Sequence, residues 1–128
     1  SGNDVLVMKL DTRGAYLWHA FYGSSDWDTG TSITADPSGI HIAGASAHTW
    51  SGPKEQAPLN EYSDEYEDSL IIKMDGNGTY VWHTFFGSGA RDSANGITAD
   101  ISGIYVAGFR YSPSARFSLL NRAFSGHR

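Results

Sequence analysis

The chain has 128 residues, which is long enough for one ordinary domain and too short for two. Its formal charge of −5 and its nine scattered Lys and Arg offer no basic surface to a nucleic-acid backbone, so we expect no nucleic-acid partner. The absence of Cys excludes disulfides and thiolate metal sites, and no apolar run approaches the length of a membrane span.

The first two strands are predicted from an apolar run and an aromatic run on either side of a turn. Residues 4–11, rich in Val and Leu, predict a strand that is buried on both faces. Residues 12–14 predict the hairpin turn, and residues 16–23 predict the second strand. The alternation of that strand places Tyr16, Trp18, Ala20 and Tyr22 on one face and Leu17, His19 and Phe21 on the other.

Two shorter strands and a long connection follow. Residues 24–30 read as a polar loop, and residues 31–36 and 40–44 predict strands joined by a Pro-Ser-Gly turn. The stretch 45–67 carries two Pro, an acidic cluster that includes Asp64 and Glu65, and several aromatic side chains. Irregular connections of this length are uncommon and are usually functional or mobile.

The chain then repeats itself. Residues 4–23, DVLVMKLDTRGAYLWHAFYG, return as residues 68–87, DSLIIKMDGNGTYVWHTFFG, at an offset of 64 residues. Residues 33–44, ITADPSGIHIAG, return as residues 97–108, ITADISGIYVAG, at the same offset. About half of the aligned positions are identical, which indicates an internal repeat.

The repeat sets the predicted organisation of the chain. Residues 1–128 are expected to form a single two-repeat unit, with repeat one over about residues 1–64 and repeat two over about residues 65–128. The tail 109–128 stands where the long loop stood in the first repeat, and a short turn is expected over residues 116–124.

The fold class follows from four short strands per repeat. These strands are linked by hairpins and are apolar on both faces, which favours small sheets packed between other sheets. A two-layer sandwich would carry more polar positions on its outer faces. The sequence therefore predicts an all-β fold of four-stranded antiparallel β-propeller blades.

With these motifs in view, the chain resembles the SBBP repeats, a bacterial and archaeal β-propeller repeat family. The first copy matches the family pattern at Asp4, Lys9, Asp11, Gly14, Trp18, Gly23, Asp28, Ile33, Asp36, Gly39 and Gly44. The second copy matches at Asp68, Lys73, Asp75, Gly78, Trp82, Gly87, Asp92, Ile97, Asp100, Gly103, Tyr105 and Gly108. The resemblance covers most of the chain except residues 45–67 and the tail. It implies an extracellular or cell-surface prokaryotic protein without general enzymatic activity.

The strand order that the resemblance implies is out of phase with the repeats. It gives one complete blade over about residues 31–87, flanked by an outer half-blade at residues 4–23 and an inner half-blade at residues 96–108. An unpaired sheet edge seeks a partner strand. We therefore expect roughly two to four copies, with three or four favoured, to complete a ring or otherwise to build a head-to-tail filament. The alternative is that the rest of a longer propeller supplies the missing strands.

The divergence between the two copies is concentrated on one predicted face. Because the strands alternate in direction, loops 24–30 and 88–95 and the connections 45–67 and 109–128 should emerge together, where binding sites are usually found. The predicted recognition surface for a protein or glycan comprises Trp27, His48, Trp50, Tyr62, Tyr66, Phe109, Arg110 and Tyr111. The alternative that these side chains cover the propeller face or an adjacent subunit stays open.

Residues shared by the two copies are predicted to be framework. These are the packing residues Trp18 and Trp82 and the turn-capping residues Asp11, Asp75, Asp36 and Asp100. Asp26 and Asp28, beside Trp27, leave open whether a cation binds there, but the sequence predicts no metal and no cofactor.

No catalytic set stands out. There is no G-x-S-x-G elbow, and the five His lack the spacing of metal ligands. The leading hypothesis is a non-enzymatic structural and binding module. One alternative is a lectin-like propeller in which Trp27 or Trp50 stacks on a sugar. Another is a hydrolase or lyase that uses the central channel, which the uncharged inner strands disfavour at Thr34, Ala35, Thr98 and Ala99.

Overall fold

The computed structural model describes residues 2–63 and 66–111, in which every regular element is a β-strand. The eight strands are β1 (Val5–Leu10), β2 (Tyr16–Tyr22), β3 (Asp28–Asp36), β4 (Gly39–Ser46), β5 (Asp68–Met74), β6 (Tyr80–Phe86), β7 (Asp92–Asp100) and β8 (Gly103–Arg110). These residues include no helix, and so none that is long and apolar enough to cross a membrane. Asp64, Glu65 and the turn expected over 116–124 lie outside the described residues.

The strands form three antiparallel sheets. β1 and β2 make the first pair, β3-β4-β5-β6 make the central sheet in that order, and β7 and β8 make the last pair. The all-β prediction is confirmed. The central sheet crosses the boundary between the repeats, because β3 and β4 come from the first repeat and β5 and β6 from the second.

The hairpin turns are closed in the same way in both repeats. Asp11 accepts hydrogen bonds of 2.8 and 2.9 Å from the backbone amides two and four residues later, and Asp75 accepts the equivalent bonds at 2.9 and 3.0 Å. Gly14 and Gly78 complete these turns at a φ of +87°, a conformation that side chains disfavour. The turn residues that recur in the sequence therefore recur in the structure.

β3 and β7 begin earlier than the sequence indicated. β3 starts at Asp28 rather than at residue 31, and the preceding loop shortens to residues 24–27. The strand continues because a bulge at Thr31 absorbs one extra residue, after which the pairing with β4 resumes. A bulge at Asn95 gives β7 the same early start, so the second loop spans residues 88–91.

A bulge in β2 places Tyr16 on the opposite face from the one predicted. Lys9 pairs with Trp18 and Leu10 pairs with Tyr16, which leaves Leu17 as the extra residue of β2. Tyr16 therefore lies on the side of His19, with 2.6 Å between its hydroxyl oxygen and Nδ1 of that ring. The prediction that Tyr16 shares a face with Trp18 was wrong.

The main core lies between the first pair and the central sheet. Its buried members are Val5, Val7, Tyr22, Ile42, Trp50, Leu70, Ile72, Met74 and Phe85. A smaller cluster of Ala43, Ile71 and Ala94 lies between the central sheet and the last pair. The central sheet thus buries both faces.

The strand predicted to be buried on both faces is buried on only one. In β1, Val5 and Val7 are buried, whereas Leu6, Met8 and Leu10 are about half exposed. In the equivalent strand β5, all but one residue is buried. The prediction for β1 was wrong because β5 has a sheet against each face and a strand along each edge, whereas in the described part of the chain β1 pairs with β2 alone.

The difference in burial between the two copies predicts unequal costs of truncation. Phe85 is fully buried, and its counterpart Phe21 is 59% exposed. We expect Phe85→Ala to lower the free energy of unfolding by about 3–5 kcal/mol, because it leaves a cavity in the core. Phe21→Ala should cost less than about 1 kcal/mol. Urea denaturation at one protein concentration measures both, and equal losses would contradict this description of the core.

Candidate functional site

The connecting loops lie at one end of the central sheet, which we call the loop end. Asp28 pairs with Ser46 and Ser46 pairs with Asp68, so the loop before β3 and the connection from β4 to β5 meet there. The amide of Ala47 donates to the carbonyl of Trp27 at 2.8 Å. The tight hairpin turns occupy the opposite end, which we call the turn end.

Most of the residues predicted for recognition are exposed at the loop end. Trp27, Tyr66, Phe109 and Tyr111 each expose more than half of their surface. The exposed His48 stacks on Tyr62, with ring centroids 6.3 Å apart, and Thr49, Pro58 and Glu61 line a shallow pocket with them. Arg110 is half-buried at the end of β8, opposite Asp92.

Trp50 is not on this surface, because it lies in the main core. Its ring stacks on that of His83 with centroids 3.9 Å apart and planes inclined by 7°, and its indole N–H donates to the hydroxyl of Ser46 at 3.1 Å. Only 7% of its surface is exposed, so Trp50 offers no free face to a ligand.

The long connection reaches the core by adding itself to the outer edge of β6. The amide of Leu59 donates to the carbonyl of His83 at 2.9 Å, and the carbonyl of Asn60 accepts from the amide of Phe85 at 3.2 Å. The side-chain amide of Asn60 also donates to the carbonyl of Phe85 at 2.9 Å. These bonds cover the edge of the central sheet and hold Trp50 over His83.

His83 is held as a neutral ring. Its Nδ1 lies 2.5 Å from the hydroxyl oxygen of Tyr80, and its Nε2 lies 2.9 Å from the carbonyl oxygen of Trp50, which can only accept. Nε2 therefore carries the proton, and Nδ1 accepts from the Tyr80 hydroxyl. Burial lowers the pKa of His83, and the bond to Trp50 acts weakly in the opposite direction.

Three buried carboxylates close the loops at the loop end. Each is bonded by a serine hydroxyl and the amide of the same serine, in the pairs Ser24–Asp28, Ser63–Asp68 and Ser88–Asp92. Burial raises the pKa of Asp28 and of Asp92, while the serine bonds oppose that shift. The spacing S-x-x-x-D in both repeats was the sequence signal for two of these pairs.

Asp26 and Asp28, where the sequence left open a cation, each accept hydrogen bonds from the chain itself. Asp28 turns inward to Ser24, and Asp26 accepts a 2.9 Å bond from the amide of Trp27. Among residues 2–63 and 66–111, no three His, Asp or Glu side chains come together as metal ligands would.

A polar cluster at the turn end was missed by the sequence reading. Nε2 of His41 lies 3.4 Å from both the Ser38 hydroxyl and the Asp36 carboxylate, and the ammonium group of Lys73 donates to Ser38 at 3.2 Å. Hydrogen bonding from Ser38 holds the pKa of Asp36 below its usual range. A catalytic triad would use one ring nitrogen for the serine and the other for the carboxylate, so this cluster is not such a relay.

The sheets are stacked in a relation that occurs twice. The carbonyl of Asn3 accepts from the amide of Asp28 at 2.8 Å, and the carbonyl of Glu67 accepts from the amide of Asp92 at the same distance. At the loop end, the contact between the central sheet and the last pair is therefore equivalent to the contact between the first pair and the central sheet. The hydroxyl of Thr31 adds a 2.5 Å bond to the carbonyl of Ala94 across the second of these contacts.

The first and last pairs both expose apolar side chains, among them Leu6 and Met8 of β1 and Val106 of β8. Residues of β4 are buried almost throughout, whereas the equivalent residues of β8 are exposed almost throughout. β4 pairs with both β3 and β5, whereas β8 pairs with β7 alone among residues 2–63 and 66–111. A search of protein-family models and a search of curated proteins both found no match to this chain. A function must therefore be argued from the open strands and the loop end.

The buried histidine predicts a dependence of stability on pH. Because the folded-state pKa of His83 lies below 6.5, the unfolded chain takes up the proton first as pH falls. We expect this contribution to be fully present above about pH 6.5 and to be lost as pH falls from there toward the folded-state pKa.

The measurement compares urea unfolding at about pH 7.5 and pH 5.5 for the native chain and two variants. His83→Gln should reduce the loss of stability on acidification, whereas His19→Gln, at the exposed equivalent position, should leave it unchanged. Equal pH dependence in the native chain and His83→Gln would contradict the assignment of a neutral ring.

Proposed function

We propose that the protein is a non-enzymatic β-propeller repeat module that joins to further units by completing four-stranded blades. In this proposal the central sheet is one complete blade, and the first and last pairs are the outer and inner halves of two others. The rigid stack of blades presents the loop end to a protein or glycan. The observation that carries the proposal is the open, apolar state of β1 and β8 beside their buried equivalents.

The two repeats act as an internal control for this argument. Ile42 of β4 is 3% exposed, and its equivalent in β8, Val106, is 45% exposed. Leu70 of β5 is fully buried, and its equivalent in β1, Leu6, is half exposed. Since the sequences of the two copies are so similar, the exposure reflects the lack of a neighbouring strand within the part of the chain that the structure describes. Apolar surface of this kind favours association.

The stacking supports a continuing series of blades, which would close as a ring or extend as a filament. The relation between the first pair and the central sheet recurs between the central sheet and the last pair, so each added unit would continue the same rotation. Each chain would supply two blades, and roughly three or four copies would give a ring within the usual range of propeller sizes. A longer chain with more repeats could supply the same number of blades by itself.

The loop end is the proposed binding surface of this scaffold. Trp27 and Tyr66 are exposed there, as is the stacked pair of His48 and Tyr62. Aromatic side chains on loops held by a rigid sheet suit recognition of a protein or a glycan. An extracellular or cell-surface location, which the family resemblance implies, is part of the proposal.

The two alternative functions have less support. A lectin-like site could use Trp27 but not Trp50, whose ring faces are covered in the core. A hydrolase would need an arranged nucleophile and base, and the one Ser-His-Asp group at the turn end places both partners on one ring nitrogen. Neither alternative accounts for the open strands.

The proposal predicts that one charged side chain on β8 prevents assembly. Light scattering of the native chain should give a mass several times the 13.9 kDa of one chain. Val106→Asp should reduce it to a single chain, because burying an unpaired carboxylate is costly.

The control variant is Val81→Asp. Val81 is 46% exposed, as Val106 is, but it lies on the outer strand of the central sheet. It should leave the mass unchanged. A native chain that remains single at all accessible concentrations would overturn self-assembly, and an equal effect of both variants would remove β8 as the contact.

A further inference from the structure

We infer that the strand that completes the last pair is β1 of a second copy, in the register that β4 and β5 already show within one chain. This inference rests on the proposed function and specifies its contact. Within the chain, Ile42 pairs with Ile72 and Ser46 pairs with Asp68. Adding the repeat offset of 64 to each β4 position and subtracting it from each β5 position gives the pairs between copies. Val106 then pairs with Met8 of the second copy, and Arg110 pairs with its Asp4.

The residues at which the two repeats differ fit this register. At the two positions nearest the loop end, the internal pairs are Ala45 with Ser69 and Ser46 with Asp68. The equivalent pairs between copies are Phe109 with Val5 and Arg110 with Asp4. An aromatic residue opposite a β-branched one and two opposite charges are both favourable cross-strand pairs.

The guanidinium group of Arg110 has a donor that could take part in such a contact. Its Nε is buried without a hydrogen-bond partner among the residues that the structure describes. A buried guanidinium donor without a partner is costly, and a carboxylate on the neighbouring strand would satisfy it. Asp4 of a second copy, which is exposed in the single chain, would supply that carboxylate.

The exposed apolar residues complete a core in this register. The equivalents of Leu6, Met8 and Val106 are Leu70, Ile72 and Ile42, and all three equivalents belong to the main core. Val106 of one copy and Leu6 and Met8 of the next would therefore lie together against the central sheet of the first copy. The contact between copies would repeat the main core of each chain.

A glycine turn supplies a second, independent part of the contact. Trp18 covers the turn at Gly78 so closely that a Cβ atom there would lie 2.6 Å from the indole ring. Gly14 has the same φ of +87°, but a Cβ atom there would meet nothing within 4 Å. By the same offset, Trp82 of one copy would cover Gly14 of the next. No described residue of the single chain covers Gly14 as Trp18 covers Gly78.

Disulfide cross-linking tests the register, and the chain suits it because it contains no Cys. The double variant Met8→Cys/Val106→Cys should give disulfide-linked multimers under mild oxidation, since directly opposite residues in antiparallel strands are close enough to be bridged. The control Met8→Cys/Tyr105→Cys moves one cysteine by one residue and so to the other face of the strand. It should stay unlinked.

A second measurement tests the glycine turn through the strength of assembly. Gly14→Ala should raise the protein concentration at which half of the chains assemble by about tenfold, because the new methyl group collides with Trp82. The control is Gly89→Ala, since Gly89 also has a positive φ, of +84°, and open space around it. It lies in the loop 88–91, away from the contact, and should leave that concentration unchanged.

The outcomes separate this inference from the proposed function. If the native chain is multimeric but Met8→Cys/Val106→Cys does not cross-link, the register is overturned and blade-sharing assembly stands. The same holds if the control Met8→Cys/Tyr105→Cys cross-links to the same extent. Equal effects of Gly14→Ala and Gly89→Ala would remove the tryptophan contact. A native chain that is single by mass would overturn both the inference and the assembly on which it rests.

Discussion

Seven residue pairs join β4, from the first repeat, to β5, from the second, and the other elements are positioned around this ladder. It places Ile42, Leu70 and Ile72 in the main core, and it brings the loop from β2 to β3 to the same end as the long connection. Because the ladder crosses the repeat boundary, the structural unit is shifted relative to the sequence unit. A two-stranded sheet remains on each side of the central sheet.

The buried polar groups at the loop end follow one repeated arrangement. Each loop that enters or leaves a strand at the loop end is closed by a buried carboxylate and a serine, as in Ser24–Asp28. A buried carboxylate is tolerated only when hydrogen bonds replace its water, and the serine hydroxyl and amide do so here. These loops are therefore fixed in shape, which suits a surface that presents side chains such as Trp27.

Much of the fold could be predicted from the sequence, because the repeat provides its own comparison. The turns at Gly14 and Gly78 and the short strands follow from local signals that occur twice, whereas their grouping into one large and two small sheets was implied by the family resemblance. The errors arose where distant contacts or single extra residues decide the outcome. The bulge at Leu17 moved Tyr16 to the other face, and no periodicity in β2 distinguishes that arrangement from regular alternation.

The candidate site was harder to predict for the same reason. Trp50 stands in a loop with no regular pattern, and bonds to residues distant in sequence, among them those of Leu59 and Asn60 to β6, hold the loop over His83. The exposure of one face of β1 could not be predicted from its apolar sequence, which resembles that of β5, a strand buried at all but one residue. Burial there depends on which strand lies alongside, and the strand itself does not encode it.

The central claim is that the two incomplete pairs are complementary halves of one sheet, and an isotope-filtered NMR measurement tests it directly. Chains labelled only at the methyl group of Met8 would be mixed with chains labelled only at the methyl groups of Val106, so that any contact observed must be between molecules. We predict a nuclear Overhauser effect between these methyl groups, since the two residues would face each other across adjacent strands. An assembled protein in which that contact is absent would contradict the account.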